Sequence, residues 1–303
     1  HAADRIEEAV EAMALLRPED MQGLERITAD IQFRGGNFDK AVAIAETAVS
    51  DTSDNVADLT WLGQLLTRSG DTARAISLYK RAVEIAPTEG SAWLALVSLQ
   101  AADGKTDEAA ANLAKATAAL ASPDRELVAA QGDAVLGRYD QAEETLRQST
   151  TAADGDAIQA GQALASFLIR RGRLDDAEQE LQTIVNAPTQ KNRDRPVKLW
   201  ARRTLAELLA DRGTYRELEK AIALIDENGS DGGGLSPEDI SLQIRLLAAR
   251  LEPACWRQAI ERLDDLEDLQ PLSIQQKLLE AQLLEKLGRW DEARTAYISL
   301  LGT

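Results

Sequence analysis

Histidine is almost missing: the 303-residue chain has one, at position 1. No imidazole triad, histidine metal cluster or histidine acid–base pair can be assembled from it. Cys255 is the only cysteine. It excludes an intrachain disulfide and a cysteine-based metal site, and beside Trp256 it reads as a buried thiol that fills space. The redox compartment is left open. Aromatic residues make up 4% of the chain, so core volume must come from leucine against alanine, which suits close helix pairs. No run of about 18 apolar residues occurs, so no segment reads as a membrane-crossing helix. Sustained period-two alternation is absent as well, and strands are not expected. No signal peptide is visible. His1 reads as a tag remnant, which leaves a removed export signal open, and cytoplasmic and periplasmic placements both stand. Positive charge is short too, with a net charge of −17. That argues against nucleic acid as a main partner, since phosphate calls for clustered Lys and Arg. An acidic surface favours solubility and basic partners.

What is present is a pattern, clearest from Leu59 to Pro87. This stretch reads as two amphipathic helices joined by a turn at Ser69-Gly70-Asp71. Gly63, Ala75 and Ala82 would let the helix backbones approach closely, with Leu62, Leu66, Ile76, Tyr79 and Val83 around the contact. Pro87 closes the unit because it cannot continue a helix. The alanine that follows the turn recurs at Ala41, Ala75, Ala109, Ala142, Ala177, Ala259 and Ala293. The first four spacings are 34, 34, 33 and 35 residues, and the last is 34. The turns share a form: GDTARA, GKTDEA, GRYDQA, GRLDDA and GRWDEA.

This period, together with Leu62-Gly63, Leu66, Ala75, Tyr79, Ala82 and Pro87, resembles the tetratricopeptide repeat (TPR) family. The resemblance spans nearly the whole chain in about eight units. It implies an all-α fold, a right-handed α-solenoid of stacked antiparallel helix pairs. Residues 1–227 would form one array, with a leading helix over Asp4–Leu16 and about six units. A polar insertion at 189–196 interrupts it and ends in the helix breaker Pro196. Unit four would start with Ser122 as N-cap and Pro123 just inside. In unit six either Leu218 or Ala221 can take the small position; Leu218 is preferred because Ile222 and Ile225 then face inward together. A glycine-rich hinge at 228–235 follows, then two further units over 236–303, starting at Ser236-Pro237-Glu238-Asp239. The apolar ending Tyr297, Leu300 and Leu301 suggests a longer array or a partner at that end.

Chemistry is sparse. The turns lie between helices and are not phosphate-cradling loops. Residues 226–238 faintly resemble a calcium loop, but Asp231 replaces the central glycine and Glu238 arrives one residue late, so a linker is the reading. Asn228-Gly-Ser230 fits a glycosylation acceptor only as a tripeptide. Carboxylate pairs such as Asp175-Asp176, Asp264-Asp265 and Glu143-Glu144 read as solvated helix faces. No enzyme activity, cofactor or metal is expected.

The resemblance places the first helices of each unit along a concave groove that takes peptides. Carried over, its lining is Arg26, Asp30 and Phe33; Thr60, Gln64 and Thr67; Leu94, Ser98 and Ala101; Leu127, Gln131 and Ala134. Beyond these come Gln162, Ser166 and Ile169; Arg203, Glu207 and Ala210; Ile244, Ala248 and Leu251; Leu278, Gln282 and Glu285. This row lacks the Lys and Asn clamp with which chaperone-binding members hold a terminal carboxylate. Between Arg170 and Lys220 the chain carries +3, leaving −20 elsewhere. Arg170, Arg171, Lys191, Arg193, Arg195, Lys198 and Arg202 form a candidate basic patch for an acidic partner or a second copy; ordinary solvated charge is the alternative. The resulting expectation is a non-catalytic scaffold that binds a peptide or protein segment. The alternative is a structural spacer that self-associates through uncapped ends, such as the periplasmic TPR segment of a bacterial exopolysaccharide export system, which rests on fold analogy and an Ala- and Arg-rich composition.

Overall fold

A computed structural model describes residues 9, 24–49, 53–151, 157–188, 192–230 and 234–301. Among the described residues there are sixteen α-helices and no strand, placing the chain in the α-solenoid class. Two compact units divide it, His1–Ala152 and Ala153–Thr303. Unit 1 holds the pairs α1 (Glu25–Arg34) with α2 (Phe38–Ala48), α3 (Val56–Ser69) with α4 (Thr72–Ile85), α5 (Gly90–Ala102) with α6 (Thr106–Ala119), and α7 (Asp124–Val135) with α8 (Tyr139–Thr151). Unit 2 holds α9 (Ala157–Arg170) with α10 (Leu174–Asn186), α11 (Asp194–Arg212) with α12 (Tyr215–Ser230), α13 (Pro237–Ala249) with α14 (Pro253–Leu269), and α15 (Ile274–Lys286) with α16 (Trp290–Leu301).

The second pair shows why the sequence folds this way. The Asn55 side chain caps α3 by accepting the Ala57 N–H at 3.0 Å. At the other end Gly70 takes φ +89°, a left-handed value that costs glycine little. The Asp71 N–H then donates to Leu66 O at 2.9 Å and the Gly70 N–H to Thr67 O at 3.3 Å, closing a Schellman turn. Asp71 in turn caps α4 by accepting the Arg74 N–H at 3.2 Å. The same pair of turn bonds recurs after Gln32, Gln100, Asp133, Leu168 and Leu284.

Packing follows the alanine rhythm. All seven in-phase alanines are buried, none more than 2% exposed. Leu62, Leu66, Ile76, Tyr79 and Val83 surround the α3–α4 contact and belong to one core running through unit 1. At the closest approach, a Cβ on Gly63 would lie 2.9 Å from the Tyr79 ring.

Several expected boundaries move. The leading helix over 4–16 lies outside the described residues apart from Ala9. The α7 N-cap is Pro123, not Ser122, whose hydroxyl bonds to the Glu126 side chain instead. Helix α11 starts at Asp194, so Pro196 sits in its first turn, where no backbone N–H is needed. Its side-chain anchor is Asp194, which is buried and accepts from Gln159 at 3.2 Å. Helix α12 runs through Asn228 to Ser230, so the glycine-rich segment begins later than 228. In α12 the Leu218 N–H donates to Thr214 O, as Ala75 donates to Asp71 O. The fully buried small residue, however, is Ala221, and Ile222 is only half-buried. Leu218, 6% exposed, is buried in the same core, so both residues face it.

Candidate functional site: a groove on the first helices of unit 1

Tyr79 belongs to a second helix, yet its ring reaches through the gap left by Gly63 toward the first-helix side. There α1, α3 and α5 frame a pocket of about 320 Å³. Asp30 and Phe33 come from α1, Trp61, Gln64, Leu65, Thr67 and Arg68 from α3, and Ala95, Ser98 and Leu99 from α5. Burial pushes the Tyr79 hydroxyl above the usual phenol range, an effect that a hydrogen bond with Thr67 partly offsets. The Thr67 hydroxyl itself donates to Gly63 O at 2.7 Å. Helix α5 carries no charged residue from Gly90 to Ala102.

Adjacent helices are tied across the mouth by specific contacts. The Trp61 Nε1–H donates to Asp30 Oδ1 at 3.0 Å. Arg26 pairs with Asp58 at 2.9 Å and lies 4.7 Å from the Trp61 ring centroid. Phe33 meets Phe38 edge-on, with centroids 5.2 Å apart, and the Arg68 guanidinium lies 5.7 Å from the Phe33 ring centroid.

The expected lining and the pocket overlap in Asp30, Phe33, Gln64, Thr67 and Ser98. Thr60 instead turns its hydroxyl to Val56 O at 2.8 Å. Leu94 and Ala101 pack against the core, and Arg26 is taken by Asp58. Leu127 and Gln131 are exposed on α7 outside this pocket. Trp61, Leu65, Arg68, Tyr79, Ala95 and Leu99 lie one helix position away from the expected row or come from the second helix.

Unit 2 uses the corresponding positions differently. Arg203 holds the buried Asp239 by two bonds of 2.6 and 2.8 Å and Ser236 by a third at 3.0 Å. Burial pushes the Asp239 carboxyl up, but bonds from Arg203, Asn228 and Ser236 outweigh it and hold the group below the usual carboxylate range. Glu207 accepts from Arg245 at 3.0 Å. Gln162 and Ser166 are half-buried, Ile169 and Ala210 pack on the core, and Ile244 is a core residue with no groove surface. Ala248 packs on the core, Leu251 is 86% exposed, Leu278 and Gln282 are exposed, and Glu285 accepts the Tyr297 hydroxyl at 2.9 Å.

Part of the cationic run is spent on ties between helices. Arg202 is buried and paired with Glu227 at 3.2 Å, so it offers no surface charge. Arg212 pairs with Asp175 at 2.9 Å and Glu178 at 2.6 Å on α10. Arg170, Arg171, Arg193 and Arg195 are exposed and Lys198 half-buried, while Lys191 lies outside the described residues.

The faint calcium pattern is dismantled in the same region. Asn228 is buried and donates to Asp239 at 2.8 Å, and Asp226 accepts from Gln243 at 2.5 Å. Asp231 and Gly232 lie outside the described residues. A buried Asn228 is equally unsuited to glycosylation. Among the described residues no group of three or more His, Cys, Asp or Glu could hold a metal, and no helix is long and apolar enough to cross a membrane. Burial pushes the Cys255 thiol up, in keeping with a space-filling role.

Two other hollows lie in unit 2. One of about 650 Å³, between α14, α15 and α16, includes Asp264, Glu267 and Glu280. The other, about 330 Å³, is bordered by Trp290, Ala293, Tyr297 and Ile298 on α16.

The family model of the anaphase-promoting complex (cyclosome) subunit 3 matches residues 34–116, and a tetratricopeptide repeat model matches residues 136–195. No curated protein matches the sequence at a significant level. Among solved structures, a tetratricopeptide repeat protein from Parabacteroides merdae is 17% identical, at a TM-score of 0.43, over 81% of this chain and 90% of that one. PilF of Pseudomonas aeruginosa is 18% identical, at a TM-score of 0.41, over 75% of this chain and 97% of that one. With most helix pairs repeating every 33 to 35 residues, buried alanines in phase and a tetratricopeptide repeat model matched over residues 136–195, the chain belongs to the tetratricopeptide repeat family.

Proposed function

We propose that this protein is a non-catalytic scaffold whose unit 1 groove binds a segment of another protein. Members of the family are in general scaffolds that bind proteins or peptides. The observation that carries the reading is the pocket between α1, α3 and α5, with its carbon-rich floor and polar rim. A groove of this kind can bury one large side chain while rim groups fix the backbone around it.

A photo-crosslinking amino acid at Gln64, which is exposed on the pocket rim, tests this. The same group at Lys115, exposed on α6, is the control. Crosslinks to a partner should form from position 64, fall away when Ser98→Phe fills the pocket, and be scarce from position 115. Equal capture from both positions would count against the reading.

A second reading, a spacer that self-associates, draws support from Trp290 and Ile298, which are 64% and 58% exposed around the α16 hollow. The exopolysaccharide-export analogy belongs to this reading. Light scattering over a hundredfold concentration range separates the two, since a strict monomer throughout removes self-association.

A further inference from the structure

We infer that the unit 1 groove selects segments in which a bulky apolar side chain stands beside a carboxylate. This rests on the groove reading and adds the chemistry of the ligand. The floor is apolar, and α5 contributes no charge to it. The rim carries both donors and acceptors, and Arg68 is its one cation among the described residues. Arg68 is exposed, lies over Phe33 and pairs with no carboxylate among the described residues. Arg26, Arg74, Arg81, Arg138 and Arg147 of the same unit each pair with an Asp or Glu, and Arg34, which also lacks one among the described residues, is not on the lining. An unpaired guanidinium at a pocket mouth is conspicuous in a chain of net charge −17.

Asp30, the one carboxylate on the lining, already accepts the Trp61 indole N–H. The Gln64 amide and the Ser98 hydroxyl add further donors. A basic residue beside the anchor would set its cation against Arg68, with only Asp30, already tied to Trp61, to receive it. An acidic residue one or two positions from the anchor meets the planar fork of Arg68, which binds carboxylates at two points. The pocket of about 320 Å³ has room for one Leu, Phe or Trp side chain with its adjoining backbone.

The test is selection of displayed random twelve-residue peptides on the full chain, followed by binding measurements on R68E and Ser98→Phe. The recovered peptides should carry Asp or Glu within two positions of Leu, Phe or Trp. Their affinity should fall about tenfold on R68E, and analogues with Lys in place of the acid should gain about tenfold on that variant. Raising the salt concentration should weaken the wild-type interaction and leave the residual R68E interaction nearly unchanged. Ser98→Phe should abolish binding; Gln64→Trp, at an exposed position, repeats that test should Ser98→Phe unfold, and thermal melts report on folding. Peptides lost on pocket filling but indifferent to R68E would overturn the ligand class and leave the groove reading standing. Peptides indifferent to both filling variants, or no recovered peptides at all, would overturn both.

Discussion

Gly63 is a residue at which one carbon atom decides the packing. A Cβ there would stand 2.9 Å from the Tyr79 ring, and the ring is held from behind by the unit 1 core. Gly63→Ala should cost about 1–3 kcal/mol, read as a lowered melting temperature, because the close-packed interior cannot yield without strain. In a Tyr79→Leu background the same substitution should cost much less, since the two residues share one contact. Glu280 makes the opposite point. Burial, then the carboxylates Asp264 and Glu267, push its carboxyl above the usual range. The folded state therefore binds that proton more tightly, and its contribution becomes unfavourable as pH rises through the raised value. Glu280→Gln should raise the melting temperature at neutral pH and change nothing in acid below the ordinary glutamate range. The small residues were legible in the sequence because Gly63, Ala75 and Ala82 recur in register with their repeats. The residues around the α1–α3–α5 pocket were legible only to within one position, because the angle at which these helices meet is set by side chains more than thirty residues apart. That angle turns Trp61, Leu65 and Arg68 toward the pocket and Thr60 away from it.

At the scale of elements, caps and ties decide where helices begin and how they are held. Ser236 and Asp239 form a reciprocal capping box at the start of α13, which Pro237 pre-sets. Ser273 and Gln276 do the same for α15. Ser273→Ala should cost about 1 kcal/mol, measured by denaturant unfolding of the full chain. Asp239 is the more consequential residue, because α11, α12 and α13 all meet on its carboxylate. Its lowered titration range means that its stabilisation is complete above the ordinary aspartate range and is lost as pH falls through the depressed value. Asp239→Asn should therefore flatten the acid limb of the stability curve, and a melt series from pH 7 to pH 2 checks this. The capping signal Ser236-Pro237 could be read from neighbours in the chain. The fate of Arg203 and Arg202 could not, since their partners Asp239 and Glu227 are distant in sequence; the repeat pattern left Arg203 on the groove lining and charge counting left Arg202 in a surface patch. The α12 boundary was missed for a similar reason: Asn228, a poor helix former by itself, is held in the helix by Asp239 and Arg202.

At the scale of the whole molecule, the chain divides into two compact units, His1–Ala152 and Ala153–Thr303, and within each unit a helix pair finds its core in its neighbours along the chain. The two pieces expressed apart should each show helical circular dichroism and a cooperative melt of their own. An unfolded piece would mean that stability is shared across the division. The all-α class and the count of repeats were legible because they depend on a period, which survives local substitutions. The division into units was not, because it depends on how completely successive pairs cover one another. Nearest-neighbour gripping also has a mechanical side. Drawn out between two anchors, such a chain should give way hairpin by hairpin, each release lengthening it by the residues of one pair. The protein would then behave as a ratcheted spring that absorbs work under tension and recovers it when slack returns.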